Sequence, residues 1–138
     1  MKKYLVILTC VLTAAFASCE KDNVENVRER DEKRLEELYN EIKEISESVT
    51  CEDAGEWEFT ALGSKACGGP TEYIAYSNTI DTEAFLEKVK LYTELQQQFN
   101  IDWNITSDCS IVPKPTDVVC NEEGKPEFIY ENRMVPHE

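Results

Sequence analysis

The chain has 138 residues, of which 28 are acidic and 14 basic, giving a formal charge of −14. That length fits one domain, and the acidic excess excludes a basic nucleic-acid surface and disfavours anionic lipid surfaces. The single histidine is the penultimate residue, His137, so a Ser-His or Cys-His site has no base to draw on.

The first element is a short export signal. Met1-Lys2-Lys3 precedes a mostly apolar stretch from Tyr4 to Phe16, followed by the small residues Ala17 and Ser18 and then Cys19. A positive start, a brief apolar run and small residues before the break are the parts of a secretory signal. The run is too short for a bilayer core of about 30 Å, which needs ~20 apolar residues. With Cys19 directly after the small residues, segment 16–19 resembles the lipobox of bacterial lipoproteins, with Phe16 where Leu is more common. The resemblance implies cleavage before Cys19, acylation of Cys19 and attachment to a lipid bilayer. Several acyl chains on one residue anchor stably, since each buried CH₂ contributes ~0.8 kcal/mol.

The expected organisation is a cleaved signal over 1–18, a lipidated tether over 19–23, a helix over 24–48, a small domain over 49–130 and a loose tail over 131–138. In the helix, Leu35, Leu38, Ile42 and Ile45 step by three and four and share one face. Arg28 and Asp31 interrupt that stripe, so only about 35–48 is expected to dock. Trp57, Phe59 and Ala61 alternate with polar neighbours, the period of a half-buried strand. Gly63–Lys65 and Cys67–Pro70 read as turns, and Tyr73–Tyr76 as a short extended piece. Asp81 is an expected N-cap for a helix over 82–99, with Phe85, Val89, Tyr92 and Phe99 near one face. Segments 109–112 and 117–120 flank Pro113-Lys114-Pro115-Thr116 as an expected hairpin. A Gly-containing turn over 121–125 leads to a last strand over 127–130. Two helices and three to four short strands give the α+β class with a small antiparallel sheet.

Cys51, Cys67, Cys109 and Cys120 remain after Cys10 leaves with the signal and Cys19 takes lipid. An even number in an exported chain predicts two disulfides. A four-thiolate zinc site is the competing reading, but no CxxC pair is present. Four cysteines allow three pairings. The expected hairpin favours Cys109–Cys120, equidistant from Lys114-Pro115, and so leaves Cys51–Cys67.

Cys51, Trp57, the run Gly63-Ser64-Lys65-Ala66-Cys67-Gly68-Gly69-Pro70, Tyr73-Ile74-Ala75-Tyr76-Ser77 and Ser107-Asp108-Cys109 resemble a group of small four-cysteine lipoproteins of Bacteroidota-type bacteria. The resemblance spans most of the mature chain and brings neither an activity nor site residues with it.

Three further patterns are weak. The Cys67–Pro70 run lacks the spacing and following helix of a phosphate loop. Asp102, Asn104, Thr106 and Asp108 alternate like calcium-loop ligands, but Ser107 stands where Gly is needed and Pro113 where Glu is needed. Asn104-Ile105-Thr106 fits a glycosylation sequon whose machinery is chiefly eukaryotic. No cofactor, metal or catalytic residue is expected, and nucleic acid is not an expected partner. The expected function is a binding or structural module of the cell envelope, anchored in the outer membrane and possessing no catalysis. Glu20 after the anchor leans to the outer membrane by enterobacterial sorting. The alternatives are a small-molecule or ion-binding envelope protein and a carboxylate-based hydrolase. The expected contact surface is Gly68, Gly69, Pro70, Tyr73 and Tyr76, because tyrosine offers a large apolar face with a polar tip. Tyr73 and Tyr76 share a side only if the strand bends.

Overall fold

The computed structural model describes residues 19–131. The expected signal over 1–18 and the expected tail from 132 onward lie outside the described residues. Two compact units divide the chain, Met1–Arg34 and Leu35–Glu138. Among the described residues no helix is long and apolar enough to cross a membrane.

The elements are α1 (Cys19–Ser46), a 3-10 turn (Ala54–Glu56), β1 (Trp57–Leu62), β2 (Glu72–Ser77), α2 (Thr82–Asp102), β3 (Asp117–Cys120) and β4 (Pro126–Ile129). The α+β class stands. The strands form two antiparallel two-stranded sheets, β1–β2 and β3–β4, rather than one. Helix α1 starts at Cys19, so residues 19–23 belong to the helix rather than to a separate tether.

In the first unit the helical side chains of residues 24–30 are exposed. Arg28 Nε bonds Glu32 at 2.8 Å, one helical turn apart. In the second unit the stripe Leu35, Leu38, Ile42 and Ile45, together with Tyr39, packs on one face of β1–β2. Ile42, Leu62 and Phe85 are at most 1 % exposed, each contributing ~1.5–3 kcal/mol by leaving water. Helix α2 completes this layer with Phe85, Val89 and Tyr92. Its N-cap is Asp81, whose Oδ1 accepts the Ala84 N–H at 3.1 Å, satisfying a donor that the helix leaves open.

The opposite face of β1–β2 carries Trp57, Phe59 and Ala75, which pack with Val118, Cys51 and Phe128. The β3–β4 hairpin therefore lies on that face, and the helices on the other. Within β1–β2, Phe59 pairs with Ala75, and Glu58 with Tyr76.

The expected strand over 109–112 is irregular chain, and β3 takes β4 as its partner, with Val118 opposite Phe128. The turn between them decides this pairing. Asn121 Oδ1 accepts the N–H groups of Glu123 and Lys125, both at 3.0 Å, and Gly124 supplies a φ of 71°.

The expected disulfide pairing is also corrected. Cys51 bonds Cys120, with a Cα–Cα distance of 5.3 Å. Cys67 and Cys109 are exposed and unbridged. With β4 on the hairpin axis, Cys120 ends β3 beside the segment entering the 3-10 turn, where the Cys51 N–H donates to the Gly124 carbonyl at 2.8 Å. This bond between Cys51 and Cys120 also excludes a four-thiolate zinc site.

The β1–β2 connection is fastened to α2. Thr93, Gln96 and Asn100 lie three and four residues apart and so share a helix face. They bond the Gly63 N–H at 3.1 Å, the Ser64 N–H at 2.7 Å and the Ser64 carbonyl at 2.8 Å. Gly63 has a φ of 75°, and a Cβ there would collide with Thr71 Oγ1 and Gln96 Oε1. Gly63→Ala is expected to cost about 2–4 kcal/mol, combining backbone strain with overpacking. Urea denaturation checks this, and an unchanged midpoint would contradict the fastening.

Candidate functional site

The proposed contact residues separate in space. Gly68 and Gly69 have φ values of 96° and 83° and form the exposed tip of a turn closed by the Lys65 N–H on the Gly69 carbonyl at 2.9 Å. Pro70 is half-buried beside it. Strand β2 runs without a bend, so Tyr73 and Tyr76 point to opposite faces, as residues three apart in a strand must.

Tyr76 is 5 % exposed. Its ring lies 5.0 Å from that of Phe85, and its hydroxyl donates to Glu58 Oε2 at 2.7 Å. It is a core residue, and its place in the expected contact surface is corrected. Tyr73 is half-buried on the hairpin side, edge-on to Phe59 at 6.1 Å, and lines a cleft.

That cleft has a volume of about 460 Å³. The end of α1 supplies Lys43 and Ser46, Glu47 follows it directly, β2 supplies Tyr73 and Ala75, and the hairpin supplies Lys125 and Phe128. Its lining mixes apolar side chains, among them Phe128 and Ile74, with polar ones, and its rim carries both signs. Lys43 pairs with Glu47 at 3.2 Å, and Lys125 with Glu123 at 3.7 Å.

One wall is the outer edge of β2. The Asn78 N–H donates to the Glu56 carbonyl at 2.7 Å. Antiparallel pairs alternate between bonded and non-bonded, so Tyr76 and Ile74 bond β1 while Tyr73, Ala75 and Ser77 direct their backbone groups outward. Ser46 Oγ donates to the outward Ala75 carbonyl at 2.7 Å. Strand β2 pairs only with β1 among the described residues. No protein hydrogen bond closes on the Tyr73 N–H, the Tyr73 carbonyl or the Ala75 N–H among those residues. The cleft thus contains an open strand edge.

Sequence reasoning missed Ser46, Phe128 and the two rim lysines. Ser46 had a signal, being a serine one helical turn beyond Ile42 on the apolar stripe. The others come together only through the hairpin's placement.

The remaining candidates disperse. Asp102 ends α2 and accepts from Gln98 Nε2 at 2.7 Å. Asp108 is held below the usual carboxylate range by hydrogen bonds from Ser110 and Lys65. Among the described residues no group of three or more His, Cys, Asp or Glu is arranged to hold a metal ion.

Two tyrosines are tuned by the helix-side layer. Burial and the Glu58 hydrogen bond push the Tyr76 hydroxyl from 10.0 up to about 12. Burial and a Glu72 hydrogen bond do the same for Tyr39. Below pH 10 both are protonated, folded or unfolded, and their contribution is intact. Between pH 10 and about 12 the unfolded chain ionises first, so stability falls. The urea midpoint should drop between pH 9 and pH 11.5, and drop less in Tyr76→Phe. Equal drops would contradict the burial argument.

No protein-family model, curated protein or solved structure matches the chain.

Proposed function

We propose that this is a lipid-anchored envelope protein, held in the outer membrane through acylated Cys19, whose domain binds an extended segment of an envelope or extracellular protein along β2. The supporting observation is the open β2 edge inside the cleft. Edge addition supplies main-chain hydrogen bonds, and neighbouring side-chain pockets supply selectivity. Here the outward Tyr73 and Ala75 groups offer the bonds, while Tyr73 and Phe128 offer an apolar face. The formal charge of −14 favours a basic partner by steering the encounter. The anchoring half of the reading is supported by the lipobox-like segment alone, and no catalytic step enters it.

A photo-crosslinking residue at Lys125, on the cleft rim, should capture a discrete protein partner in cells, while the same residue at exposed Leu91 on α2 should not. A palmitate analogue should label the chain and fail to label Cys19→Ala. Equal capture at both positions would overturn the cleft, and absent label on the wild-type chain would overturn the anchor. A small-molecule ligand is the second reading. The cleft volume of about 460 Å³ falls within the ~300–1,000 Å³ range of such sites, and this reading expects no protein adduct at either position.

A further inference from the structure

We propose that Cys67 and Cys109 form a thiol–disulfide exchange site, which cycles between dithiol and disulfide while the Cys51–Cys120 bridge stays closed. The two bonding environments differ sharply. Cys51 is 3 % exposed within an apolar cluster. Cys67 and Cys109 are both exposed, and a Cβ at Gly68 or Gly69 would meet nothing within 4 Å. Cys120 is half-buried beside Cys51, so a disulfide-bearing reagent reaches the Cys67–Cys109 pair far more readily than the bridge. Exposed disulfides are the labile ones, and buried structural disulfides resist reduction.

The pair is held in register without a covalent link. Cys67 Sγ lies 3.4 Å from Ser107 Oγ and 3.6 Å from the Asp108 carbonyl, and Cys109 Sγ lies 4.0 Å from the Ser107 carbonyl, so both sulfurs gather on the same short segment. Lys65, two residues from Cys67, reaches across to the other loop. Its Nζ donates to Asp108 Oδ1 at 3.2 Å, to the Ser110 carbonyl at 2.9 Å and to Ser110 Oγ at 3.0 Å. The Lys65 side chain is only 11 % exposed, so this clamp is part of the packing rather than a loose surface pair. It holds the loop that carries Cys109 against the loop that carries Cys67 before any bond forms, which makes the closing step intramolecular.

The two thiols also have different roles. Hydrogen bonds with Cys109 and Ser107, with the Lys65 charge nearby, hold the Cys67 thiol below its ordinary range, while the Cys109 thiol is raised by its hydrogen bond with Cys67. The thiolate is the nucleophile, and Cys67, two residues from the Lys65 ammonium and with its Sγ 3.4 Å from Ser107 Oγ, attacks first. Its thiolate displaces one thiolate from an external disulfide and forms a mixed disulfide. Cys109 then loses its proton and attacks Cys67 Sγ, expelling the second external thiolate. Two protein thiols become one protein disulfide, and one external disulfide becomes two thiols. Reduction is the reverse.

The test equilibrates the full mature chain in glutathione buffers of graded redox ratio, quenches with N-ethylmaleimide and reads the intact mass and peptide map. The expected result is a midpoint at which the chain passes between two maleimides and none, with Cys67 and Cys109 linked in the oxidised form and Cys51–Cys120 closed throughout. Lys65→Ala should shift that midpoint toward the dithiol. Cys109→Ser should retain one glutathione on Cys67, and Cys67→Ser should leave Cys109 reacting several-fold more slowly. The proposal is overturned if both bridges open together, if the Cys67–Cys109 link persists where Cys51–Cys120 has opened, or if Cys67 in the wild-type chain stops at the glutathione adduct.

Discussion

Replacing Cys51 and Cys120 together by alanine should lower the stability of the domain by about 4 kcal/mol. The bridge spans a sequence separation of 69 residues, and closing a loop of that length removes ~4 kcal/mol of unfolded-chain entropy in the chain-entropy model. It joins the segment entering the 3-10 turn to the end of β3, beside Trp57 and Val118. The loss is comparable to the lower end of typical net stability, ~5–15 kcal/mol. A folded population with a much reduced urea midpoint is the expected outcome. A fall below ~1 kcal/mol would mean that the hairpin is held by its apolar face alone.

Tyr76→Ala should be nearly as damaging. The ring sits between β2 and Phe85, and truncating a buried aromatic costs ~3–5 kcal/mol. For a domain this small, each ~1 kcal/mol moves the melting temperature by about 4–8 °C, so a fall of more than ~10 °C is expected. The truncation also removes the hydroxyl that donates to Glu58 Oε2, a carboxylate exposed enough to take water instead. A melt within a few degrees of wild type would restore Tyr76 to the surface and contradict the two-faced reading of β2.

Much of this architecture was legible in the sequence because its determinants are local. The Asp81 cap and the Phe85, Val89, Tyr92 spacing define α2, and the Trp57–Phe59 alternation defines β1. Both β3 and β4, and the Gly-containing turn between them, were also visible. The error lay in pairing β3 with 109–112, because symmetry about Lys114-Pro115 was read as a hairpin. Strand pairing is a tertiary choice. Here it is settled by the turn at Asn121 and by the apolar contact of Phe59 with Phe128. The disulfide followed the mistaken hairpin, since bridge partners depend on which chain ends the fold brings together.

The candidate site was legible only in part. Tyr73 was named and does line the cleft, whereas Tyr76, three residues on, belongs to the other face. The open edge of β2 has no signature in composition or spacing. It depends on β2 having no strand partner beyond β1 among the described residues, and on the end of α1 capping the Ala75 carbonyl through Ser46.

The most direct test of the cleft combines one substitution with two readouts. Tyr73→Ala is made in the chain carrying the photo-crosslinker at Lys125, and adduct yield in cells is compared with the melting temperature of the purified protein. An interface residue of consequence contributes more than ~1 kcal/mol, equivalent to about fivefold in affinity. The account predicts a roughly fivefold or greater loss of adduct with a fall in melting temperature far smaller than that of Tyr76→Ala. Undiminished adduct at equal protein level would contradict it.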